Sequence, residues 1–319
     1  MAALNRLLLP LALTAALAAC NRQEAPAPAA EPAPAPEAAP APAATPEAAP
    51  APAADPLAAA LAGAHRSEEN RARDTWRHPA ETLAFFGFRP DATVVEITPG
   101  GGWYTEVLAP ALKGSGRLVA AVVDPASATS DSSRDYYTRA NASFQEKLDG
   151  NADVYGGVTV QAFSMAEPRF GEDGSADLVL TFRNVHNWVG SGAAPGMFKG
   201  FFDVLRPGGT LGVVEHRAQP GSAAAENPRS GYMTEQAVID LATAAGFELA
   251  GRSEVNANPA DTTDHPNGVW TLPPSLRVPD GEDPEKYRAI GESDRMTLRF
   301  VKPQGDAILR QGMDEAGGD

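Results

Sequence analysis

The chain has 319 residues, enough for one large domain or two small ones, and its formal net charge is −15. That charge argues against binding to nucleic acid and against electrostatic attachment to anionic lipids, because both need a basic surface. Cys20 is the single cysteine, so the chain has no intramolecular disulfide and no cysteine-based metal site. The five histidines lack metal-ligand spacing, and no metal site is predicted.

The N-terminal segment is predicted to be an export signal. Arg6 precedes an apolar run over residues 7–17, which is too short to span a bilayer as a helix, and small residues then lead to Cys20. The ending Leu-Ala-Ala-Cys resembles the bacterial lipobox, which implies that residues 1–19 are removed and that Cys20 is lipidated. Asn21, rather than aspartate, implies the outer membrane, with the domain facing the periplasm. An ordinary signal peptide with a chance cysteine is the alternative.

Composition divides the remaining chain into three parts. Residues 20–56 hold the lipidated cysteine and an Ala/Pro-rich stretch that cannot bury enough apolar surface to fold. Such a stretch favours an extended tether, although a binding segment for a partner is the alternative. Residues 57–303 form the predicted domain, and the polar, glycine-rich residues 304–319 form a flexible tail.

Predicted strands and helices alternate through the domain. Strands are predicted over residues 93–97, 118–123, 158–163, 177–182, 210–215, 247–255 and 296–301. Helices are predicted from Ser67 and Pro79 and over residues 103–112, 135–148, 197–205 and 234–245. This alternation of near-continuous apolar strands with helices predicts an α/β fold with a doubly wound, mostly parallel sheet of seven strands. Ligands of such sheets bind beyond the carboxyl ends of the strands.

The first strand runs into a glycine-rich loop. Glu96 lies near the strand end, residues 98–102 read Thr-Pro-Gly-Gly-Gly, and a helix follows. Glycines let the backbone turn sharply and let a ligand approach closely, and a tight turn without a ligand is the alternative. The dinucleotide fingerprint fails at its third glycine, where Thr105 stands. Glu96 at the strand end, followed by Gly100 and Gly102, fits a second nucleotide-binding pattern, in which an acid precedes alternate glycines.

Five segments in the same order resemble the class I S-adenosylmethionine-dependent methyltransferases. They are residues 94–104, 116–124, 177–186, 205–211 and 232–247. Residues 65–74, 182–188 and 294–300 resemble, more narrowly, a group of predicted bacterial methyltransferases of unknown substrate. The resemblance implies a Rossmann-like class I methyltransferase fold and S-adenosylmethionine as cofactor.

The resemblance also implies which residues bind the cofactor. Asp124, at the end of the second strand, would accept hydrogen bonds from the ribose hydroxyls. Ser164 and Met165 stand where the family often has an acid for the adenine, and Thr98 replaces the first glycine of the loop. The implied cofactor-binding residues are Glu96, Thr98, Gly100, Gly102, Asp124, Ser164 and Met165.

The fourth strand leads into the predicted acceptor side. His186 is the candidate general base, because imidazole accepts a proton near neutral pH, and a histidine that hydrogen-bonds a loop carbonyl is the alternative. Asn184 could orient the nucleophile or cap the turn. Arg183 could hold a carboxylate substrate or pair with Glu215. Residues 215–217, Glu-His-Arg, form a weaker candidate cluster.

Two further features are open at this stage. Trp103 and Trp188 could face a sulfonium cation, but ordinary packing is the more common role of such residues. Residues 256–294 interrupt the last two strands and are rich in Pro, Asp and Gly. A long insertion near a site is often a lid, and a surface excursion packed by Trp270 and Leu272 is the alternative.

The sequence therefore favours a methyltransferase that acts on a small molecule or another acceptor that is not nucleic acid. A periplasmic binding lipoprotein that kept the fold without the chemistry is the alternative, since S-adenosylmethionine is made in the cytosol and fold does not imply function. A nicotinamide oxidoreductase is disfavoured by Thr105. Contact with a membrane is predicted only through the lipid anchor, and the sequence does not predict the oligomeric state.

Overall fold

The computed structural model describes residues 55–227 and 229–305. The predicted export signal, Cys20, nearly all of the Ala/Pro-rich stretch and the tail from residue 306 lie outside the described residues. Among the described helices, none is long and apolar enough to cross a membrane.

Seven strands form one sheet at the centre of the described region. They are β1 (Thr93–Ile97), β2 (Arg117–Val123), β3 (Val158–Phe163), β4 (Ala176–Phe182), β5 (Leu205–His216), β6 (Glu248–Ser253) and β7 (Arg295–Val301). Their order is β3-β2-β1-β4-β5-β7-β6. The first five are parallel, whereas β7 is antiparallel to both β5 and β6. The predicted mostly parallel, seven-stranded α/β fold is confirmed.

The described part of the chain has eleven α-helices, four of which precede β1. They are α1 (Pro56–Ala62), α2 (Glu68–Ala72), α3 (Asp74–Arg77), α4 (Pro79–Phe85), α5 (Thr105–Leu112), α6 (Asp131–Asp149), α7 (Ala152–Tyr155), α8 (Val185–Gly190), α9 (Ala194–Val204), α10 (Glu235–Ala244) and α11 (Pro284–Ile290). As predicted, the Ser67 hydroxyl caps α2 by accepting a hydrogen bond from the N–H of Asn70.

Helices cover both faces of the sheet. Successive residues of a strand point to opposite faces, so each buried strand contributes apolar side chains to both layers of the core. On one face, Val95 of β1 shares a buried cluster with Phe198 of α9. On the other face, Val94 shares a cluster with Leu83 of α4 and Leu108 of α5. With both faces apolar and buried, the edge at the carboxyl ends of the strands is where polar side chains can meet.

The structure departs from the predicted elements in a few places. The bounds of β1 and β3 match, but α8 was not predicted. Residues 206–209 lie between a predicted helix and a predicted strand and have a turn-like sequence, yet they belong to β5. The register of β5 against β4 shifts between Ala176 and Leu178, and Gly208 has a φ of 75°. An irregularity of this kind absorbs extra residues while the strand continues, which explains why the turn-like sequence misled the prediction.

The insertion between β6 and β7 packs against the domain through buried polar groups. The Asp261 carboxylate is fully buried and accepts hydrogen bonds from the Tyr232 hydroxyl and from the N–H groups of Thr263 and Asp294. The Asn258 amide donates to the carbonyl of Glu292 at 2.7 Å. Residues 256–294 are therefore anchored at several points, and their movement as a lid stays a prediction.

Candidate functional site

The residues that directly follow β1 and β4 both have a left-handed backbone. Chain order reverses between these two neighbouring strands, so a crevice is expected beyond their carboxyl ends. Thr98, after β1, has a φ of 51°, and Arg183, after β4, has a φ of 61°. Residues other than glycine adopt this region at an energetic cost, and such strain concentrates at ligand sites. The edge that was predicted to carry the site is thus also strained.

The glycine-rich loop borders open space. Thr98 donates its N–H to the carbonyl of Ala121 at 2.8 Å, and its hydroxyl oxygen is buried without a partner among the described residues. Gly100 has a φ of 59°, and a Cβ on Gly100 or Gly101 would meet nothing within 4 Å. Gly102 has a φ of 73°, and its Cβ would press on the ring of Phe144. The loop leaves room for a ligand beside Gly100, while Gly102 packs inward.

Glu96 lies beneath this loop. It is 2% exposed, and its Oε2 accepts a hydrogen bond from the Thr105 hydroxyl at 2.6 Å. Burial raises the pKa of Glu96 to about 7, against the opposing effects of the Thr105 hydrogen bond and of Lys147. The carboxyl therefore ties the end of β1 to the start of α5, and Glu96 also lines the crevice.

One cavity of about 610 Å³ opens beyond β2, β1 and β4. We call it the tyrosine cavity because Tyr136 and Tyr137 of α6 line it. Thr98 and Asn184 line it at the ends of β1 and β4, and Met165 lines it after β3. Its volume lies within the range of small-molecule sites, roughly 300–1,000 Å³.

Two predicted cofactor residues flank the tyrosine cavity without lining it. Asp124 caps a short 3₁₀ turn, because its Oδ1 accepts a hydrogen bond from the N–H of Ala126 at 2.9 Å. The hydroxyl of Ser164 accepts a hydrogen bond from the N–H of Ala166 at 3.2 Å. The neighbours Val123 and Met165 do line the cavity. Asp124 thus already holds one local hydrogen bond, and its other oxygen is the one available to a ligand.

A second cavity of about 440 Å³ continues from the first. We call it the arginine cavity, because Arg73, Arg77 and Arg183 line it. Its wall also includes Glu96, Gly100, Trp103, Tyr104, Asn184, His186 and His216, together with Val269, Trp270 and residues 273–275 of the insertion. Thr98 and Asn184 line both cavities, so the two meet at the ends of β1 and β4.

His186 lies in the first turn of α8 and pairs with a fully buried carboxylate. Its Nδ1 is 3.0 Å from Oε1 of Glu215, and its backbone N–H donates to Oε2 at 3.2 Å. Since an ionised carboxylate only accepts hydrogen bonds, we assign the ring proton to Nδ1, which leaves Nε2 as a free acceptor. The loop-carbonyl alternative for His186 is therefore wrong, and so is the pairing of Arg183 with Glu215.

His216 lies beside this pair. Its Nδ1 is 2.5 Å from the Ser293 hydroxyl, and burial, with His186 and Arg183 nearby, holds its pKa well below the usual range. Ligand atoms of His186, Glu215 and His216 lie within 4.8 Å of one another, as a metal site would require. Sequence spacing could not reveal this grouping, because Glu215 and His216 end β5 whereas His186 lies in α8, after β4. The expected absence of a metal stays a prediction.

Asn184 bridges the two strands that frame the crevice. Its side-chain amide donates to the carbonyl of Ile97 at 3.2 Å and to the hydroxyl of Thr181 at 3.3 Å. It makes no side-chain cap on α8, so the capping alternative is wrong. Its remaining oxygen is free to orient a ligand between the two cavities.

Trp103 and Trp188, the two candidates for contact with a sulfonium cation, have packing roles. The Trp103 ring lies 4.6 Å from the guanidinium carbon of Arg77, and its indole N–H donates to the carbonyl of Asn70 at 3.0 Å. Trp188 is buried in the core cluster and borders the tyrosine cavity. In both, packing is the observed role.

Two arginines that line the arginine cavity bind a buried carboxylate that sequence analysis missed. Glu292, at the end of the insertion, accepts hydrogen bonds from Nε of Arg73 at 2.7 Å, Nε of Arg77 at 3.1 Å and Nη1 of Arg295 at 3.0 Å. Burial alone would raise the pKa of Glu292, but the surrounding arginines, Arg295 and Arg77 foremost, lower it to about 2. These residues come from two distant parts of the chain. Arg73 and Arg295 lie in residues 65–74 and 294–300, which had been noted only for their family resemblance.

Comparisons with known proteins give structural likenesses alone. No protein-family model matches the chain, and no curated protein sequence matches it. Among solved structures, a SAM-dependent methyltransferase from Aquifex aeolicus is similar, with 15% identity, coverage of 72% of this chain and 93% of that one, and a TM-score of 0.47.

Two other similar structures differ in their described activities. The [4+2]-cyclase SpnF is 16% identical, with coverage of 78% and 92% and a TM-score of 0.49. The glycopeptide N-methyltransferase MtfA is 14% identical, with coverage of 74% and 100% and a TM-score of 0.45. For the present chain, the fold follows from its own strand order and register, and function must be argued from the side chains of its site.

Proposed function

We propose that the chain is an S-adenosylmethionine-dependent methyltransferase that acts on a small molecule rather than on nucleic acid. The observation that carries the proposal is the meeting of the tyrosine and arginine cavities at the ends of β1 and β4, where Thr98 and Asn184 line both. A cofactor in one cavity and an acceptor in the other would meet at this junction. The switch point of a parallel sheet is where such ligands bind.

The residues around this junction fit the cofactor. The tyrosine cavity offers rings and the Met165 side chain to a flat base. The open side of Gly100 lets the backbone approach a ligand, and the unpartnered Thr98 hydroxyl can bond to it. Asp124 keeps one carboxylate oxygen free for a hydroxyl group. Ser164 and Met165, rather than an acid, directly follow β3, so adenine recognition would rest on backbone groups and on Ser164.

The protein supplies positioning and proton removal at this junction. The bound cofactor supplies a methyl group on a sulfonium, so that the acceptor's lone pair forms the new bond to carbon while the electron pair of the carbon–sulfur bond stays on sulfur. Nε2 of His186 would take the proton that an oxygen or nitrogen acceptor loses. Glu215 would hold the ring in that tautomer and stabilise the imidazolium. Asn184 would orient the acceptor.

Calorimetric titration of the purified full-length protein tests the proposal directly. We expect S-adenosylmethionine and S-adenosylhomocysteine to bind with submillimolar affinity, each at one site per chain. If neither binds at millimolar concentration, the periplasmic binding-lipoprotein alternative takes its place. Its ligand would then be sought in the cavities that Trp270 borders.

We expect Asp124→Asn to weaken S-adenosylhomocysteine binding by roughly tenfold or more. Hydrogen bonds to a charged group contribute about 1.5–3 kcal/mol each, and the amide has one oxygen fewer to accept them. Asparagine can still cap the 3₁₀ turn, so the melting temperature should hardly change. Calorimetry would measure the affinity, with the exposed Asp135→Asn as the matched control. Equal affinity in the Asp124 variant and the wild type would place the ligand elsewhere.

We also propose that the protein is an outer-membrane lipoprotein whose domain faces the periplasm. The support is the Leu-Ala-Ala-Cys ending after an apolar run of eleven residues, with asparagine at position 21. Cys20→Ser should release the protein from the membrane fraction, because the acyl chains that would anchor it cannot be attached. Fractionation followed by immunoblotting measures this. The control Asn21→Asp should stay membrane-bound, and undiminished attachment of the Cys20 variant contradicts lipidation.

A further inference from the structure

The arginine cavity carries more positive than negative charge. Four guanidinium groups, those of Arg73, Arg77, Arg183 and Arg295, act on the same carboxylate, Glu292. Of the other carboxylates close by, Glu215 is taken up by hydrogen bonds from His186 and from the backbone N–H of His216. Glu96 lines the cavity and accepts a hydrogen bond from the Thr105 hydroxyl. A cationic cavity within a chain of net charge −15 is a local feature of the fold and not a reflection of overall composition.

Several guanidinium nitrogens in this cavity have no acceptor. Glu292 accepts from one edge of Arg73 and Arg77, but Nη2 of Arg73 and Nη2 of Arg77 are buried without a hydrogen-bond partner in the described part of the chain. Arg77 is 2% exposed, and burial, with Arg183 nearby, lowers its pKa well below the usual range. Buried donors normally find acceptors, so two unsatisfied donors on residues that line one cavity point to an acceptor that the described residues do not provide.

Arg183 strengthens this argument. Arg183 lines the cavity, and no described residue is seen to accept a hydrogen bond from its guanidinium. Burial is the main cause that lowers its pKa; Glu292 opposes this effect, and Arg295 and Arg73 add repulsion. The residue is also held at a φ of 61°. A strained and partly desolvated charge without a hydrogen-bond acceptor reduces the stability of the free protein, which is expected where the charge serves binding.

The proposed cofactor does not correct the imbalance. S-adenosylmethionine has a carboxylate, an ammonium and a sulfonium group, and so adds net positive charge. The anion must therefore come from the other reactant. Carboxylate and phosphate oxygens match the planar fork of guanidinium donors, and Arg183 lies three residues before His186.

We propose that the acceptor is a small organic anion whose carboxylate or phosphate oxygens bind Arg73, Arg77 and Arg183, with the methyl-accepting atom turned toward His186. This inference rests on the proposed function. It predicts an acid as substrate, whereas the cofactor site alone fits acceptors of any charge.

The test is calorimetric titration of the full-length protein at low ionic strength with sodium benzoate and, separately, with inorganic phosphate. We expect at least one of these to bind at millimolar concentration, and the tighter one identifies the oxyanion class. Arg183→Gln should weaken binding roughly tenfold or more, and Arg183→Lys less, since lysine keeps the charge but loses the fork. The exposed Arg169→Gln is the matched control and should bind as the wild type does.

Two further measurements separate this inference from its rivals. Saturating S-adenosylhomocysteine should leave anion binding intact. Competition between the two would mean that the arginines hold the cofactor's own carboxylate, which overturns the proposal. Arg183→Gln should also raise the melting temperature of the ligand-free protein, by roughly 2–4 °C for each kcal/mol of repulsion removed. A lower melting temperature would show that the charge is satisfied within the protein and would count against a ligand.

Failure of this inference and failure of the proposed function give different results. If S-adenosylhomocysteine binds but neither anion does, the acceptor is not an acid and the proposed function stands. If an anion binds but S-adenosylhomocysteine does not, the cavity is an anion site in a binding protein, and the inference falls together with the methyltransferase proposal.

Discussion

His186→Asn should lower methyl transfer by about 10²–10⁴-fold, the usual contribution of a general base. The ring Nδ1 already meets Glu215, so the free Nε2 is the atom that can take a proton from the acceptor. Asparagine can still donate to that carboxylate but has no basic nitrogen. S-adenosylhomocysteine affinity should stay within about twofold of the wild type, because the change acts on the acceptor side.

The assay would follow label from methyl-labelled S-adenosylmethionine into small organic acids extracted from cells. His78→Asn is the matched control, since His78 lies outside both cavities and asparagine tolerates its left-handed backbone. A structural role for His186 predicts a different result. The variant would then melt at a lower temperature and keep activity in proportion to its folded fraction.

Some features of this site were readable from the sequence. The β-branched run of residues 93–97 predicted β1 with its correct bounds, since such residues favour strands. Thr98 was recognised as standing where related loops have glycine, and it does adopt the left-handed backbone that glycine favours. Local patterns were sufficient here, because the causes are local: side-chain branching and backbone dihedral angles.

The pairing of His186 with Glu215 was not predicted, although its cause is simple. β4 and β5 are parallel neighbours, with Phe182 opposite Val214. Residues just beyond those positions must therefore lie close together, as His186 and Glu215 do. Strand order was the missing information, and the sequence pattern alone does not provide it.

The arginine cavity was harder still to foresee. Arg73 and Arg77 precede the sheet, and Arg183 follows β4. Glu292 precedes β7, and Arg295 is the first residue of that strand. They meet because β7 runs antiparallel between β5 and β6, which brings its first residues to the edge where the parallel strands end. The composition of the insertion did not reveal its anchoring, since Pro, Asp and Gly suit a mobile loop as well as a segment held by buried polar groups such as Asp261.

Glu292→Gln should cause the largest loss of stability, about 3–5 kcal/mol at neutral pH, as expected when one partner of a buried ion pair is removed. The side chain of Glu292 is 4% exposed, and its carboxylate is the shared acceptor of Arg73, Arg77 and Arg295. A neutral amide leaves these cations buried and uncompensated. For a domain of this size, each kcal/mol lowers the melting temperature by roughly 2–4 °C.

The loss of stability that Glu292→Gln causes depends on pH. The pKa of Glu292 is lowered from its ordinary value of 4.5 to about 2, so its stabilising contribution is complete above pH 4.5 and is lost as the pH falls toward 2. The difference in melting temperature between wild type and variant should therefore be greatest near neutrality and shrink in acid. Glu285→Gln, on the exposed face of α11, is the control and should show little change at any pH. Added benzoate or phosphate should restore part of the variant's stability by binding the arginines. Equal melting temperatures of variant and wild type at neutral pH would mean that the Glu292 carboxylate does not hold the arginine cluster together.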